Sequence, residues 1–441
     1  METHLEHSTS ESLSQPSYAD TFWVWAKIGI LSFGGPAAQI ALMHQVIVEE
    51  KSWLSEKQYL NALGFCMLLP GPEAMQLAIY AGWKIQGSVG GLIAGLLFVI
   101  PGAVIVLGLA AAYAIFGDLP LTTALFLGIK AAVLIVVIEA LLRVAKRALW
   151  LPEHWVIAAL AFIGLFFLEI PFPLIIALAA GYGFIRGNEP KEIVQLDVEQ
   201  QVKSGRMRSL VPNTLITVFI WLLIWWVPII ALDQLTEFPI LVQIGEFFSK
   251  LAVVTFGGAY AVLAYLAQDV VNQFGWLTAG EMMDGLGLAE TTPGPLILVT
   301  EFVGFIAGYR EGGVLLGLSA AMVTLWVTFV PCFMWIFAGA PYLEWIGAQP
   351  RLKGALSAIT AAVVGVIFNL SLWFSMHVLF AQMDEKTVGP FKILQPIFSS
   401  IDWRVILLSS LCALLTFKYH WNILTVLAIS SVTGVVISGG W

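Results

Sequence analysis

The chain has 441 residues, of which 59% are hydrophobic and 11% charged, with a formal net charge of −8 and a mean hydropathy of +0.88. Soluble domains carry roughly 25% charged residues, so this composition cannot cover a water-facing surface of this size and excludes a soluble enzyme, a nucleic-acid binder and a disordered scaffold. A bilayer crossing takes about 20 apolar residues, so the expected fold is an all-α polytopic membrane protein of about thirteen apolar segments.

In chain order, residues 1–20 contain no Lys or Arg and no apolar core, which fits a short disordered cytoplasmic tail and not a signal peptide. Six apolar segments follow in residues 21–185, at about 21–48, 58–85, 88–116, 121–142, 154–170 and 172–185. A polar linker of mixed charge occupies 186–209, and one extra apolar segment covers 210–232. Residues 243–441 then repeat the first pattern.

The repeat is written in the motifs. Phe33-Gly34-Gly35 returns as Phe256-Gly257-Gly258, Trp53-Leu54 as Trp276-Leu277, and Pro70-Gly71-Pro72 as Pro293-Gly294-Pro295, all at an offset of 223. Lys27 maps to Lys250 in the same register. Farther on, Lys130-Ala131-Ala132-Val133 aligns with Thr360-Ala361-Ala362-Val363 at an offset of 230. The chain therefore reads as a tandem duplication. Seven segments separate the two starts, and an odd number places the second half in the membrane upside down, an inverted repeat of the kind found in secondary transporters. Twelve Lys and Arg fall on the N-terminal side and six on the other, which puts the N-terminus and linker in the cytoplasm and the C-terminus outside.

The first two segments of each half are interrupted. Gly34-Gly35-Pro36 and Pro70-Gly71-Pro72 remove backbone hydrogen bonds inside apolar runs, and so do Gly257-Gly258 and Pro293-Gly294-Pro295. These segments are expected to be broken or re-entrant helices. Pro72 and Pro295 should each open a half-helix at its first position. Unpaired N–H groups and the positive dipole end then face inward, which suits an anion. Four such ends could converge.

Charged residues within the apolar segments come next. Lys27 and Lys250 flank the breaks and could attract an anion, or could reach headgroups; Glu246 lies one turn before Lys250 and can pair with it. Glu73, directly after Pro72, and Glu290 and Glu301, around the second Pro-Gly-Pro, are candidates to carry a proton. Glu139 and Arg143 are spaced to pair, and Lys130 has Thr360 as its counterpart. Gly91-x-x-x-Gly95 and Gly313-x-x-x-Gly317 have the spacing of close-packing motifs. No phosphate-binding loop, no HExxH and no metal-spaced His/Cys set occurs, and Cys66, Cys332 and Cys412 lie singly in apolar stretches. Neither a cofactor nor a metal is expected, and no nucleic-acid partner.

Phe33-Gly34-Gly35-Pro36, Lys51-Ser52-Trp53-Leu54-Ser55, Leu68-Leu69-Pro70-Gly71-Pro72 and Phe98-Val99-Ile100-Pro101-Gly102 resemble the first domain of the chromate ion transporter family. Phe256-Gly257-Gly258-Ala259-Tyr260-Ala261-Val262-Leu263, Gly275-Trp276-Leu277 and Glu290-Thr291-Thr292-Pro293-Gly294-Pro295-Leu296 resemble its second. The resemblance implies the long two-domain form. Such proteins of the bacterial inner membrane expel chromate at the expense of the proton gradient and confer resistance, with sulfate as the related oxyanion. The residue reading alone also fits a sulfate or other oxyanion importer, or an uncoupled anion channel or sensor. A monomer and a homodimer are equally compatible with it.

Overall fold

The computed structural model describes residues 16–117, 119–187, 206–256, 259–388 and 391–439. The expected tail lies mostly outside them, as does most of the polar linker. Helix α1 (Tyr18–Leu31) starts under a Ser17 cap that accepts from the Asp20 amide. It ends at Ser32, whose hydroxyl bonds the Ile28 carbonyl at 2.6 Å. Gly34 (φ 86°) and Gly35 (φ 77°) turn the chain into α2 (Gly35–His44), which runs on through a π turn, Gln45–Glu50. Helix α3 (Glu56–Cys66) opens with a Ser55/Gln58 capping box.

Helix α4 (Glu73–Phe116) is two helices, because Gln86 and Gly87 (φ 66°) leave helical geometry. The piece 73–85 returns to the start of α1, where Gln86 accepts from the Thr21 hydroxyl at 2.8 Å and donates to the Pro16 carbonyl at 2.6 Å. The piece 88–116 is long. Then come α5 (Pro120–Ala148), α6 (Pro152–Phe166), α7 (Phe172–Arg186) and α8 (Arg206–Leu235).

The second half repeats these elements. Helix α9 (Pro239–Val254) ends at Thr255, whose hydroxyl bonds the Leu251 carbonyl at 2.6 Å, as Ser32 does in α1. Helix α10 (Ala259–Gln268) again runs into a π turn, Asp269–Gln273. Helix α11 (Ala279–Thr291) opens with a Thr278/Glu281 capping box in the register of Ser55/Gln58. A 3-10 turn (Leu296–Leu298) leads into α12 (Val299–Gly339), which folds back at Gly312 and Gly313. Arg310 ties the end of its first piece to Glu281 and to the Trp276 carbonyl. Gly313 is therefore a turn residue at φ 76° with open space around it, and not half of a close-packing motif. Helices α13 (Leu343–Ala348), α14 (Pro350–Leu379), α15 (Trp403–Ala413) and α16 (Ile423–Ser438) follow. An antiparallel hairpin, β1 (Met383–Val388) with β2 (Phe391–Pro396), is inserted after α14; no strand was expected from the sequence.

Among the described residues, five helices are long and apolar enough to cross a membrane: Glu73–Phe116, Pro120–Ala148, Val211–Leu235, Leu296–Gly347 and Pro350–Leu379. Helices α6 and α7 have 15 residues each. At 1.5 Å per residue they fall short of a hydrocarbon core of about 30 Å. The two halves exchange partners. Helices α6 and α7 pack on α14, and α15 and α16 pack on α5. His154 bridges the Ala148 carbonyl and Ser357, and Ser430 donates to the Gly128 carbonyl at 2.7 Å. The buried core runs without interruption through both halves. Large apolar side chains such as Leu215 and Phe219 of α8 are more than half exposed, which suits a lipid-facing helix. The molecule is an α-helical membrane protein.

Candidate functional site

The two Pro-Gly-Pro breaks meet the ends of α1 and α9. The Gly71 amide donates to the Thr255 carbonyl at 2.8 Å, and the Gly294 amide donates to the Ser32 carbonyl at 2.9 Å. Each Pro-Gly-Pro of one half is thereby held by the helix end before the glycine pair of the other. Gly71 (φ 118°) and Gly294 (φ 93°) adopt backbone geometry that favours glycine. The long helix 88–116 passes so close that a Cβ on Gly102 would lie 2.2 Å from the Pro293 carbonyl oxygen.

Around this junction lies a small cleft, lined by Pro36, Gln39, Pro72, Glu73, Pro295 and the residues that follow the two Pro-Gly-Pro motifs. Three helical starts border it: α2 at Gly35, α4 at Glu73 and the 3-10 turn at Leu296, none capped by a side chain. Pro72 and Pro295 occupy the cap position just before their helices, one place earlier than the sequence suggests. First-turn N–H groups and the positive dipole ends are thus grouped at one place. Gln39 donates to the Gly294 carbonyl at 2.6 Å and to the Ser32 carbonyl at 3.2 Å. Gln76 donates to the Pro70 carbonyl at 2.6 Å. Both glutamines are buried and keep a side-chain oxygen without a partner among the described residues.

The expected site residues divide. Pro36, Pro72, Glu73 and Pro295 share the cleft, Gly71 and Gly294 tie it together, and Gly34 and Gly35 form the turn into α2. Gly257 and Gly258 lie outside the described residues. Glu290 is 6% exposed at the end of α11 and accepts from the Tyr260 hydroxyl at 2.7 Å. Glu301, in the first turn of α12, is fully buried, with neither carboxyl oxygen partnered among the described residues. Lys27 and Lys250 are exposed on α1 and α9 and do not line the cleft. Glu139 and Arg143 pair at 2.5 Å.

Sequence reasoning passed over Gln39 and Asp284. Gln39 is a lone polar residue three positions after Pro36, with Val262 as its counterpart, and that asymmetry was its one signal. Asp284 follows Glu281 by one turn and resembles a solvated helix start, yet it is buried against Lys130 and Tyr113. A larger hollow lies elsewhere, between the α6–α7 turn, α10 and α14, lined by Glu169, Gln268, Asn272 and Asn369 among others. No break residue reaches it. The smaller cleft has the convergent backbone donors and is the stronger candidate for an anion.

Known proteins resemble this chain over most of its length. A chromate transport protein of Pseudomonas aeruginosa is 31% identical over 370 residues, covering 82% of each chain. A chromate transport protein of Cupriavidus metallidurans is 28% identical over 341 residues, 77% of this chain and 78% of that one. An uncharacterized transporter of Bacillus subtilis, YwrB, aligns over 170 residues at 28% identity, 86% of its own length but 38% of this chain. No solved structure matches. The sequence model of the chromate transporter family matches residues 19–184 and 242–435. Matched over most of its length, once in each half, the chain belongs to the chromate transporter family, whose members are transport proteins and not enzymes.

Proposed function

We propose that the protein is a secondary transporter that exports chromate across a bacterial inner membrane, with the proton gradient as driving force. The observation that carries this reading is the reciprocal Gly71–Thr255 and Gly294–Ser32 exchange, which holds uncapped helix starts around one cleft. A tetrahedral dianion needs donors from several directions, and first-turn N–H groups supply them without burying a full positive charge. Glu73, in the cleft wall, is the first candidate for the coupling carboxyl, followed by Glu290 and Glu301. Anion and proton would then compete for one place. Lys27 and Lys250, on the outer faces of α1 and α9, would add a positive field at a distance.

The proposed architecture is an inverted repeat. Between the repeat starts stand the helix 88–116, helix α5 and helix α8, all long enough to cross. Helices α6 and α7 form a pair that leaves and returns to one end of α14, near Ser357 and Pro350. Three crossings reverse the entry side. A two-fold relation also accounts for the reciprocal hydrogen bonds, since each half gives what it receives. The YwrB match, nearly whole over 170 residues, fits a unit of one half. With the excess of Lys and Arg on the N-terminal side, that side is cytoplasmic and the C-terminus periplasmic.

Chromate uptake into everted vesicles tests the reading. Uptake should depend on an acidic lumen, stop when the pH gradient is collapsed, and compete with sulfate. Uptake that survives collapse would favour a channel. Chromate or sulfate movement in the opposite sense only would favour an importer.

A further inference from the structure

The two halves match in their elements but differ in how their hairpins are packed. Helix α11 lies along α5 and also touches α14 and α16. Its counterpart α3 has no such packing on α14 and meets α4 and α13 instead. The same contrast appears in exposure. Asp284 of α11 is 3% exposed, whereas Asn61, its counterpart on α3, is exposed. One hairpin is docked across the repeat boundary and the other stands off.

The docked contact is held by charge. Lys130 of α5 places its Nζ 3.3 Å from Asp284 Oδ2, and the Tyr113 hydroxyl of α4 donates to the same oxygen at 2.8 Å. The remaining oxygen, Oδ1, is buried with no partner among the described residues. Glu281, one turn earlier on α11, is engaged by Arg310, which leaves Lys130 as the counter-charge of Asp284. Lys130 keeps 27% of its side chain exposed and Asp284 only 5%, so the pair is approached from the lysine side. Every other Lys or Arg whose side chain is described is exposed, so Lys130 is the one cation among them set into the helix packing.

A purely structural role explains this poorly. The hairpin can form without the pair, because the equivalent positions in the other half, where it is not docked, are Thr360 and Asn61, both uncharged. Buried ion pairs are also weak stabilisers, since desolvation offsets most of their attraction. An ammonium already bound to a carboxylate can exchange that carboxylate for another oxyanion at little net cost. Asp284 lies seven residues before the end of α11, about 10 Å along a helix, and the chain from there leads directly to Pro293 and the cleft.

We propose that Lys130 contacts the transported oxyanion. The anion displaces Asp284 from Lys130, and this frees α11 from α5. The released Asp284 then becomes exposed, as Asn61 already is on α3. The pair is therefore a latch, closed on the side away from the N-terminus while no anion is bound there. This rests on the anion-transport reading of the cleft and adds a second contact point to it.

The test uses full-length protein in proteoliposomes, with chromate flux measured against chromate concentration. Lys130→Cys should raise the half-saturating concentration about tenfold or more, the scale of one charged hydrogen bond. Treatment with 2-aminoethyl methanethiosulfonate, which restores an ammonium, should reverse the change, and the neutral methyl reagent should not. The native cysteines are buried and give little background. Asp284→Asn removes the competing carboxylate and should lower half-saturation. Lys130→Thr, which installs the residue of the other half, serves if the cysteine variant is not recovered, and should also raise it. Unchanged half-saturation in the lysine variants, or rescue by the neutral reagent, overturns this inference alone. Absence of chromate flux in the wild type overturns the transport reading together with it.

Discussion

The Gly71 amide hydrogen-bonds the Thr255 carbonyl at 2.8 Å across 184 positions of sequence, and Gly294 returns the same bond to Ser32 at 2.9 Å. Each glycine is served by the other half. A Pro-Gly-Pro break leaves backbone groups unpaired in an apolar setting, at a cost of about 1–3 kcal/mol for each buried group. The partner half supplies the acceptors because Ser32 and Thr255 end their helices and leave carbonyls free. Two Pro-Gly-Pro breaks and two helix ends, each unfavourable alone, become one mutually bonded junction.

This junction predicts a stability effect. Gly71→Ala and Gly294→Ala force a Cβ into positive-φ geometry and should each destabilise by about 1–3 kcal/mol. Gly71→Ala should be the more severe, because its Cβ would also sit 2.9 Å from the Gln76 amide nitrogen. Gly108→Ala, in a long helix with open space around it, should leave stability unchanged or slightly raised. Thermal unfolding in detergent compares the three.

The proposed topology predicts opposite labelling. Glu50 and Gln273 each end a π turn in equivalent positions, and both are exposed. Glu50→Cys should react with an impermeant thiol reagent only from the side of the N-terminus. Gln273→Cys should react only from the other side. Labelling of both from one face would remove the inverted arrangement.

The coupling proposal predicts a separation of binding from driving force. Glu73→Gln should still bind chromate and exchange anion for anion, but lose net flux driven by a pH gradient. Glu290→Gln should weaken the Tyr260 contact and act less strongly. Glu301→Gln should be tolerated for folding, since this carboxyl has no partner among the described residues to lose. Flux measured against pH, normalised to protein level, ranks the three. Wild-type pH dependence in both Glu73→Gln and Glu290→Gln would move the role to Glu301.

The lysine pair predicts a salt effect. Lys27→Gln combined with Lys250→Gln should reduce chromate flux at low anion concentration and low salt. The difference should shrink as ionic strength rises past about 0.1 M, where charges more than about 10 Å apart are screened. Lys130→Gln should not lose its defect with salt, because it removes a direct contact.

The sequence by itself determined the membrane class, the repeat register and the positions of the breaks. Each of these follows from local causes. Low charge content excludes a water-facing surface, an offset of 223 is visible residue by residue, and glycine and proline interrupt helices wherever they fall. Pro36, Pro72, Glu73 and Pro295 were legible as a group for that reason, since each adjoins a break. The capping boxes at Ser55 and Thr278 are equally local.

Only the tertiary structure decided who pairs with whom. Lys130 and Asp284 are 154 positions apart on helices from different halves, and their counterparts Thr360 and Asn61 carry no charge, so no periodicity marks them as partners. Gln39 is a lone amide until the Gly294 carbonyl arrives beside it. Lys27 and Lys250 look intramembrane in a linear reading, and the packing of α1 and α9 leaves them on the outside. The physical reason is common to all of these. Helix propensity and breaks are properties of neighbouring residues, whereas the worth of a charge or a carbonyl in an apolar medium depends on what the other half of the chain brings within about 3 Å.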